Sequence, residues 1–145
     1  MSKAMYLVAV DGSEWSLRAT KQAVKLAKLT GAKVKIITVV DWLYLQPIVI
    51  EGVAPPVLDK ASEEKRIRTT ILAPLKDKYK DTDLKLTTEL LWGDPVEVIQ
   101  EQVKEVHANM LFIGRRGRSR VIDMLLGSVA NKLAHRVGLP IVLVP

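Results

Sequence analysis

A chain of 145 residues, 48% hydrophobic and 26% charged, is long enough to bury a core and has the composition of a globular protein. It has no cysteine, which excludes disulfides, thiolate metal sites and cysteine nucleophiles, and its net charge of +6 favours phosphate-bearing partners without choosing among them. The apolar stretch Leu43 to Val57 is broken by Gln46, Pro47, Glu51 and Gly52, so it does not read as a membrane span, and the expectation is one cytoplasmic domain over residues 1–145.

Met5 to Val10 is a continuous apolar run closed by Asp11-Gly12-Ser13, the pattern of a central strand buried on both faces. A strand this close to Lys3 argues against a signal peptide. Ser13 is placed to cap a helix whose inner positions Leu17, Thr20, Ala23, Val24 and Ala27 recur at helical spacing until Gly31 stops it. Lys33 to Val40 predicts a second strand. Asp41 to Leu58 predicts a long loop, apolar from Trp42 to Ile50 but broken by Pro47, Gly52, Pro55 and Pro56, and such content suits cover for a site or a partner surface.

Asp59 to Tyr79 predicts a helix with Ile67, Ile71, Leu72 and Leu75 towards the core and a kink or break at Pro74. Leu84, Leu86, Thr88 and Leu90 alternate with Lys85, Thr87 and Glu89, as in a strand with one exposed face near a sheet edge. Asp94-Pro95 with Glu97 opens a helix, and Val96, Ile99, Val103 and Val106 form its apolar stripe. Met110 to Ile113 predicts a buried strand. Val129 to His135 predicts a helix ended by Gly138 and Pro140, and Ile141 to Val144 a last strand. Strands alternating with helices predict an α/β fold, a parallel sheet with helices on both faces.

In such sheets ligands sit beyond the carboxyl ends of the strands, where the winding reverses. Two loops have suitable content: Asp11-Gly12-Ser13 after the first strand and Gly114-Arg115-Arg116-Gly117 after the fourth. Gly114 and Gly117 permit positive φ and close approach of a ligand to the backbone. Gly127-Ser128 reads as a helix start, whose unpaired amides and dipole favour an anion, with the Ser128 hydroxyl as one more donor. Arg116 or Arg118 can add charge-assisted contacts to phosphate. Spacing alone equally allows plain turns and a plain helix cap.

Neither G-x-x-x-x-G-K-[ST] nor G-x-G-x-x-G is present, which removes the P-loop and disfavours a dinucleotide-binding dehydrogenase. His107 and His135 lie near helix ends, where a dipole contact or a surface place is the simpler reading, and neither has a second ligand at metal-binding spacing. Asp11 suits a ligand or metal contact better than a turn cap, Asp41 suits either, and Asp123 suits an ion pair with a nearby arginine. Trp15, Trp42 and Trp92 read as packing residues, since no basic patch is interleaved with them.

The spacing G-x2-G-x9-G-[ST], set by Gly114, Gly117, Gly127 and Ser128, resembles the ATP-binding signature of the universal stress protein family. The likeness extends over essentially the whole chain: the opening Val8 to Ser13, Asp41, Gly93-Asp94-Pro95 and the closing Leu139 to Val144. The resemblance implies a three-layer, five-stranded parallel sheet of order 3-2-1-4-5, the adenine nucleotide alpha hydrolase-like fold, and a homodimer. The exposed edge expected of Ile141 to Val144 would pair with its copy.

The resemblance also implies ATP between the first and fourth strands. Ala9 and Asp11 would line the adenosine end and the Val39 backbone would meet the adenine. Gly114, Arg115, Arg116, Gly117, Arg118, Ser119 and Arg120 would wrap the ribose and phosphates, and Gly127, Ser128 and Val129 would bind phosphate. Magnesium or manganese would bridge the phosphates without direct protein ligation, Asp11 being the one alternative. The four arginines make this loop more cationic than in many members.

The function this implies is a nucleotide-dependent signalling or regulatory module of the stress response, with a protein partner the sequence does not name. Nothing in the chain matches a dedicated phosphoryl-transfer apparatus. The rivals are a slow adenine-nucleotide hydrolase or transferase using the same crevice, and a basic nucleic-acid binder.

Overall fold

The computed structural model describes residues 3–41, 59–117 and 127–145. The expected loop beyond Asp41, and Arg118, Ser119, Arg120 and Asp123, lie outside the described residues. The described chain runs β1 (Met5–Ala9), α1 (Glu14–Thr30), β2 (Lys33–Val40), α2 (Lys60–Ile67), α3 (Ala73–Lys78), β3 (Leu86–Trp92), α4 (Pro95–Glu105), β4 (Met110–Gly114), α5 (Ser128–Arg136) and β5 (Ile141–Val144). The strands form one five-stranded parallel sheet of order β3-β2-β1-β4-β5. β1 is therefore central, flanked by β2 with Ala9 opposite Ile37 and by β4 with Ala9 opposite Ile113.

The apolar runs are continuous because the central strands are covered on both faces. On one face Tyr6, Val8, Val34, Ile36 and Phe112 pack with Ala19, Ala23 and Ala27 of α1 and with Ile67, Ile71, Leu72 and Leu75. On the other, Leu7, Ile37, Leu111 and Ile113 pack with Val96 and Ile99 of α4 and with Ala130 and Leu133 of α5. β3 lies at a sheet edge, as its alternation requires.

The caps follow the sequence. Ser13 accepts a hydrogen bond from the Ser16 amide, Asp94 accepts one from the Glu97 amide, and Gly31 closes α1 at φ 77°. At the end of α4 a histidine takes the place a glycine usually fills. His107 is at φ 53°, its N–H reaches the Lys104 carbonyl, and the Ala108 N–H reaches Val103.

Some local expectations need correction. Leu17 is 43% exposed, because α1 meets the sheet through Ser16, Ala19, Thr20, Ala23 and Ala27, whose small side chains let the helix lie close. In α4 the buried polar position is Gln102, and Val106 is only half-buried. Lys35 donates to Gln102 at 2.9 Å and pairs with Glu89 at 2.9 Å, and Gln102 donates to Glu105. That chain of bonds satisfies an amide the apolar pattern would not place inside. The expected break at Pro74 takes the form of a π-turn over Arg68–Leu72. The Ala73 N–H reaches back to the Arg68 carbonyl, and this wider turn admits a proline that lacks a donor while the helix continues as α3. Among the described residues no helix is long and apolar enough to cross a membrane.

Candidate functional site

The chain leaves β1 towards β2 in one direction and reaches β4 in the other, so the sheet's winding reverses between β1 and β4. A cavity of about 780 Å³ opens there, within the range of small-molecule sites.

The β1–α1 loop forms its floor. The Asp11 carboxylate accepts the Ser13 N–H at 2.9 Å through Oδ1, with Gly12 between them at φ 84°. The Ser16 hydroxyl donates to the Ser13 carbonyl and accepts the Asp11 N–H. These local bonds fix the carboxylate before any ligand arrives.

The turn after β4 lies against this loop. A Cβ built on Gly117 would sit 2.7 Å from Asp11 Oδ2, and one on Gly114 would sit 2.6 Å from Trp15 Cβ and 2.9 Å from its backbone carbon. The need for glycine is therefore close approach. The expected positive φ is absent at both positions: the described glycines that adopt it are Gly12, Gly31 and Gly93. The Arg115 N–H donates to the Val144 carbonyl, and the Arg115 carbonyl accepts the Gly127 N–H at 2.7 Å. The turn is thereby tied to β5 and to the start of α5.

Gly127 is the N-cap of α5 and Ser128 its first helical residue, and as a glycine the N-cap has no side chain to bond the helix amides. The Asn131 amide bonds the Gly127 carbonyl. The amides of Ser128, Val129 and Ala130 precede that bond, where a helix offers no acceptor of its own, so an anion there meets donors and the positive end of the dipole.

Of the residues singled out by sequence, Ala9, Asp11, Val39, Gly114, Arg116, Gly117, Gly127, Ser128 and Val129 line the one cavity, and Arg115 does not. Both arginines have a buried Nε without a hydrogen-bond partner. Of the two, Arg116 is the one among the cavity's lining residues.

Sequence reasoning missed the opposite wall. Glu63, Arg66, Ile67 and Ile71 line the cavity from α2 and the π-turn, together with Thr38 and Val40 of β2, and Asp41, which the sequence leaves even between a ligand contact and a turn cap, lines it just beyond that strand. Asp11 is therefore not the only carboxylate at hand. Glu63 and Arg66 form a two-point ion pair, with Arg66 Nε donating at 3.1 Å, and this bond raises the guanidinium pKa above its ordinary value. In the sequence nothing separates these two from the other charged residues of that helix. Among the described residues no group of three or more His, Asp or Glu side chains is placed to hold a metal.

The family model for the universal stress protein family matches residues 5–145. The universal stress protein YxiE of Bacillus subtilis is 30% identical over 142 residues, covering 95% of this chain and 96% of its own. A universal stress protein solved in complex with cAMP superposes with a TM-score of 0.70 at 26% identity, over 100% of this chain and 98% of its own. One from Archaeoglobus fulgidus, solved in complex with dAMP, gives a TM-score of 0.68 at 18% identity, over 99% and 98%.

Proposed function

Because the chain belongs to the universal stress protein family, we propose that its cavity holds an adenine nucleotide, ATP in the first instance, as the ligand of a stress-response regulatory module. The observation that carries this reading is the convergence on one cavity of the start of α5, Gly117 and Arg116. All three supply donors or positive charge, and a phosphate needs both. The relatives solved with cAMP and dAMP support the adenine class.

The fit is good in size and in chemistry. The cavity accommodates a nucleotide, and Val39 and Ile99 offer apolar surface to a base. The phosphates lie at α5 and Arg116, and the adenine towards β2. A magnesium or manganese ion would enter with the phosphates as its ligands, and Asp11 is the carboxylate beside that end. The residues gathered here bind and orient; an activity beyond slow hydrolysis is not part of the proposal.

Titration of the purified chain with ATP tests this reading. Saturable one-to-one binding is expected, with adenosine weaker because it lacks the groups that α5 and Arg116 engage. Failure to bind any adenine nucleotide would overturn it. Mass analysis of the nucleotide recovered afterwards separates holding from turnover.

We infer further that the protein acts in the cytoplasm, where a nucleotide pool is present, and as a homodimer through β5. That strand is the sheet edge beyond β4, and its outer N–H and C=O groups suit pairing with a copy. Sedimentation at micromolar concentration should give twice the chain mass; a monomer would contradict the dimer.

A further inference from the structure

Four polar side chains lie deep among the described residues: Ser16, Thr20, Thr38 and Gln102, none more than 5% exposed. Three of them are paired. The Ser16 hydroxyl donates to the Ser13 carbonyl and accepts the Asp11 N–H, the Thr20 hydroxyl donates to the Ser16 carbonyl, and Gln102 accepts from Lys35 and donates to Glu105. The Thr38 hydroxyl has no hydrogen-bond partner among the described residues. Such a group has given up its bonds to water for nothing, and a strand asks only for a branched side chain, which valine supplies without that loss.

The place of Thr38 accounts for the exception. Alternation along β2 puts its side chain on the sheet face of Val34, Ile36 and Val40. Val10, Val40, Ile67 and Ile71 pack together on that face, and with Thr38 they line the nucleotide cavity. The hydroxyl is carried on Cβ, so a threonine in the wall brings its oxygen to the wall. Among the described residues the sealed, unpaired side-chain atoms are Tyr79 Oη, Arg115 Nε and Arg116 Nε. The Thr38 oxygen is not one of them, and the open space that Thr38 lines is the cavity. β1 lies between β2 and β4, so Thr38 stands two strand spacings, roughly 10 Å, across the sheet from the strand that leads to Arg116 and Gly117. A nucleotide with its phosphates at α5 carries its base towards Thr38.

We propose that Thr38 is a binding residue for the base, its hydroxyl finding in a ring nitrogen or the exocyclic amine the partner the protein does not provide. This rests on the adenine-nucleotide reading of the cavity and adds a side chain that meets the base. A hydroxyl rotates and both donates and accepts, so it serves either group.

The test is Thr38→Val, which removes the hydroxyl and keeps the branched shape. The full chain is titrated calorimetrically with ATP, adenosine and inorganic triphosphate, and melted without ligand. The variant is expected to bind ATP and adenosine about three- to tenfold more weakly, both by the same factor, as the loss of one neutral hydrogen bond requires. Inorganic triphosphate, which has no base, should bind variant and wild type alike. The ligand-free variant should melt at or above the wild-type temperature, since an unpaired hydroxyl has gone. Thr38→Ser, which keeps the hydroxyl, should hold ATP within about twofold of the wild type. A Thr38→Val chain that binds ATP as the wild type does, or one that melts lower and loses inorganic triphosphate in equal measure, would overturn the role of Thr38 and leave the nucleotide site standing. A wild type that binds no adenine nucleotide would overturn both.

Discussion

Replacing Ser128 by proline is expected to weaken ATP binding by about 10- to 100-fold and leave the fold intact, the loss of one or two hydrogen bonds to a charged group. Ser128 is the first residue of α5, the helical position that best accepts proline because its amide has no partner within the helix. The residue before a proline must be extended, and Gly127 already has φ −64° and ψ 153°. The substitution therefore removes one amide donor and one hydroxyl and asks nothing of the backbone. Ser128→Ala, which removes the hydroxyl alone, should cost only a few-fold. Calorimetric titration and a melting curve for each variant check this. A proline variant that folds and binds ATP like the wild type would place the phosphates away from α5.

The largest effect on stability is expected at Gly114. A methyl group there would stand 2.6 Å from Trp15 Cβ and 2.9 Å from both the Trp15 backbone carbon and the Arg116 carbonyl oxygen. Two of those three are backbone atoms, so no rotamer change relieves the contact. Overpacking of this kind costs about 1–3 kcal/mol, and rigid neighbours put Gly114→Ala near the upper end. For a chain of this size that lowers the melting temperature by about 10 °C. Because α1 and the turn after β4 would be pushed apart, ATP binding should weaken as well. Gly138→Ala is the control: its added methyl meets nothing within 4 Å, and its stability should change by less than about 0.5 kcal/mol. Equal melting of the Gly114 and Gly138 variants would contradict the close approach on which the site depends.

Much of this arrangement is legible in the chain before any coordinates. The strands read as apolar runs because both sheet faces are covered, and Ser13, Gly31 and Asp94 mark helix ends through local bonds that need no tertiary context. Gly114, Gly117, Gly127 and Ser128 stand out by spacing. The reason behind two of them did not: positive φ was a fair expectation, and contact with Trp15 and Asp11 is the cause. What the sequence hid is set by tertiary contact. Gln102 is accommodated inside because Lys35 of β2, itself paired with Glu89 of β3, donates to its side chain. Leu17 is exposed because smaller residues face the sheet. Glu63 and Arg66 carry the same polar signal as residues on a solvated helix face, and only the docking of α2 through Ile67, Ile71 and Glu64 turns them to the cavity.

The most direct test of the account is an amide-resolved NMR titration of the chain with ATP and, separately, with adenosine. With ATP the amides of Gly117, Ser128, Val129 and Ala130 should shift most, because they lie where the phosphates are placed. With adenosine those four should barely move, while Thr38 and Val39 shift with both ligands. Shifts centred elsewhere, or a response at α5 that is the same for adenosine as for ATP, would contradict a phosphate cradle built on the start of that helix.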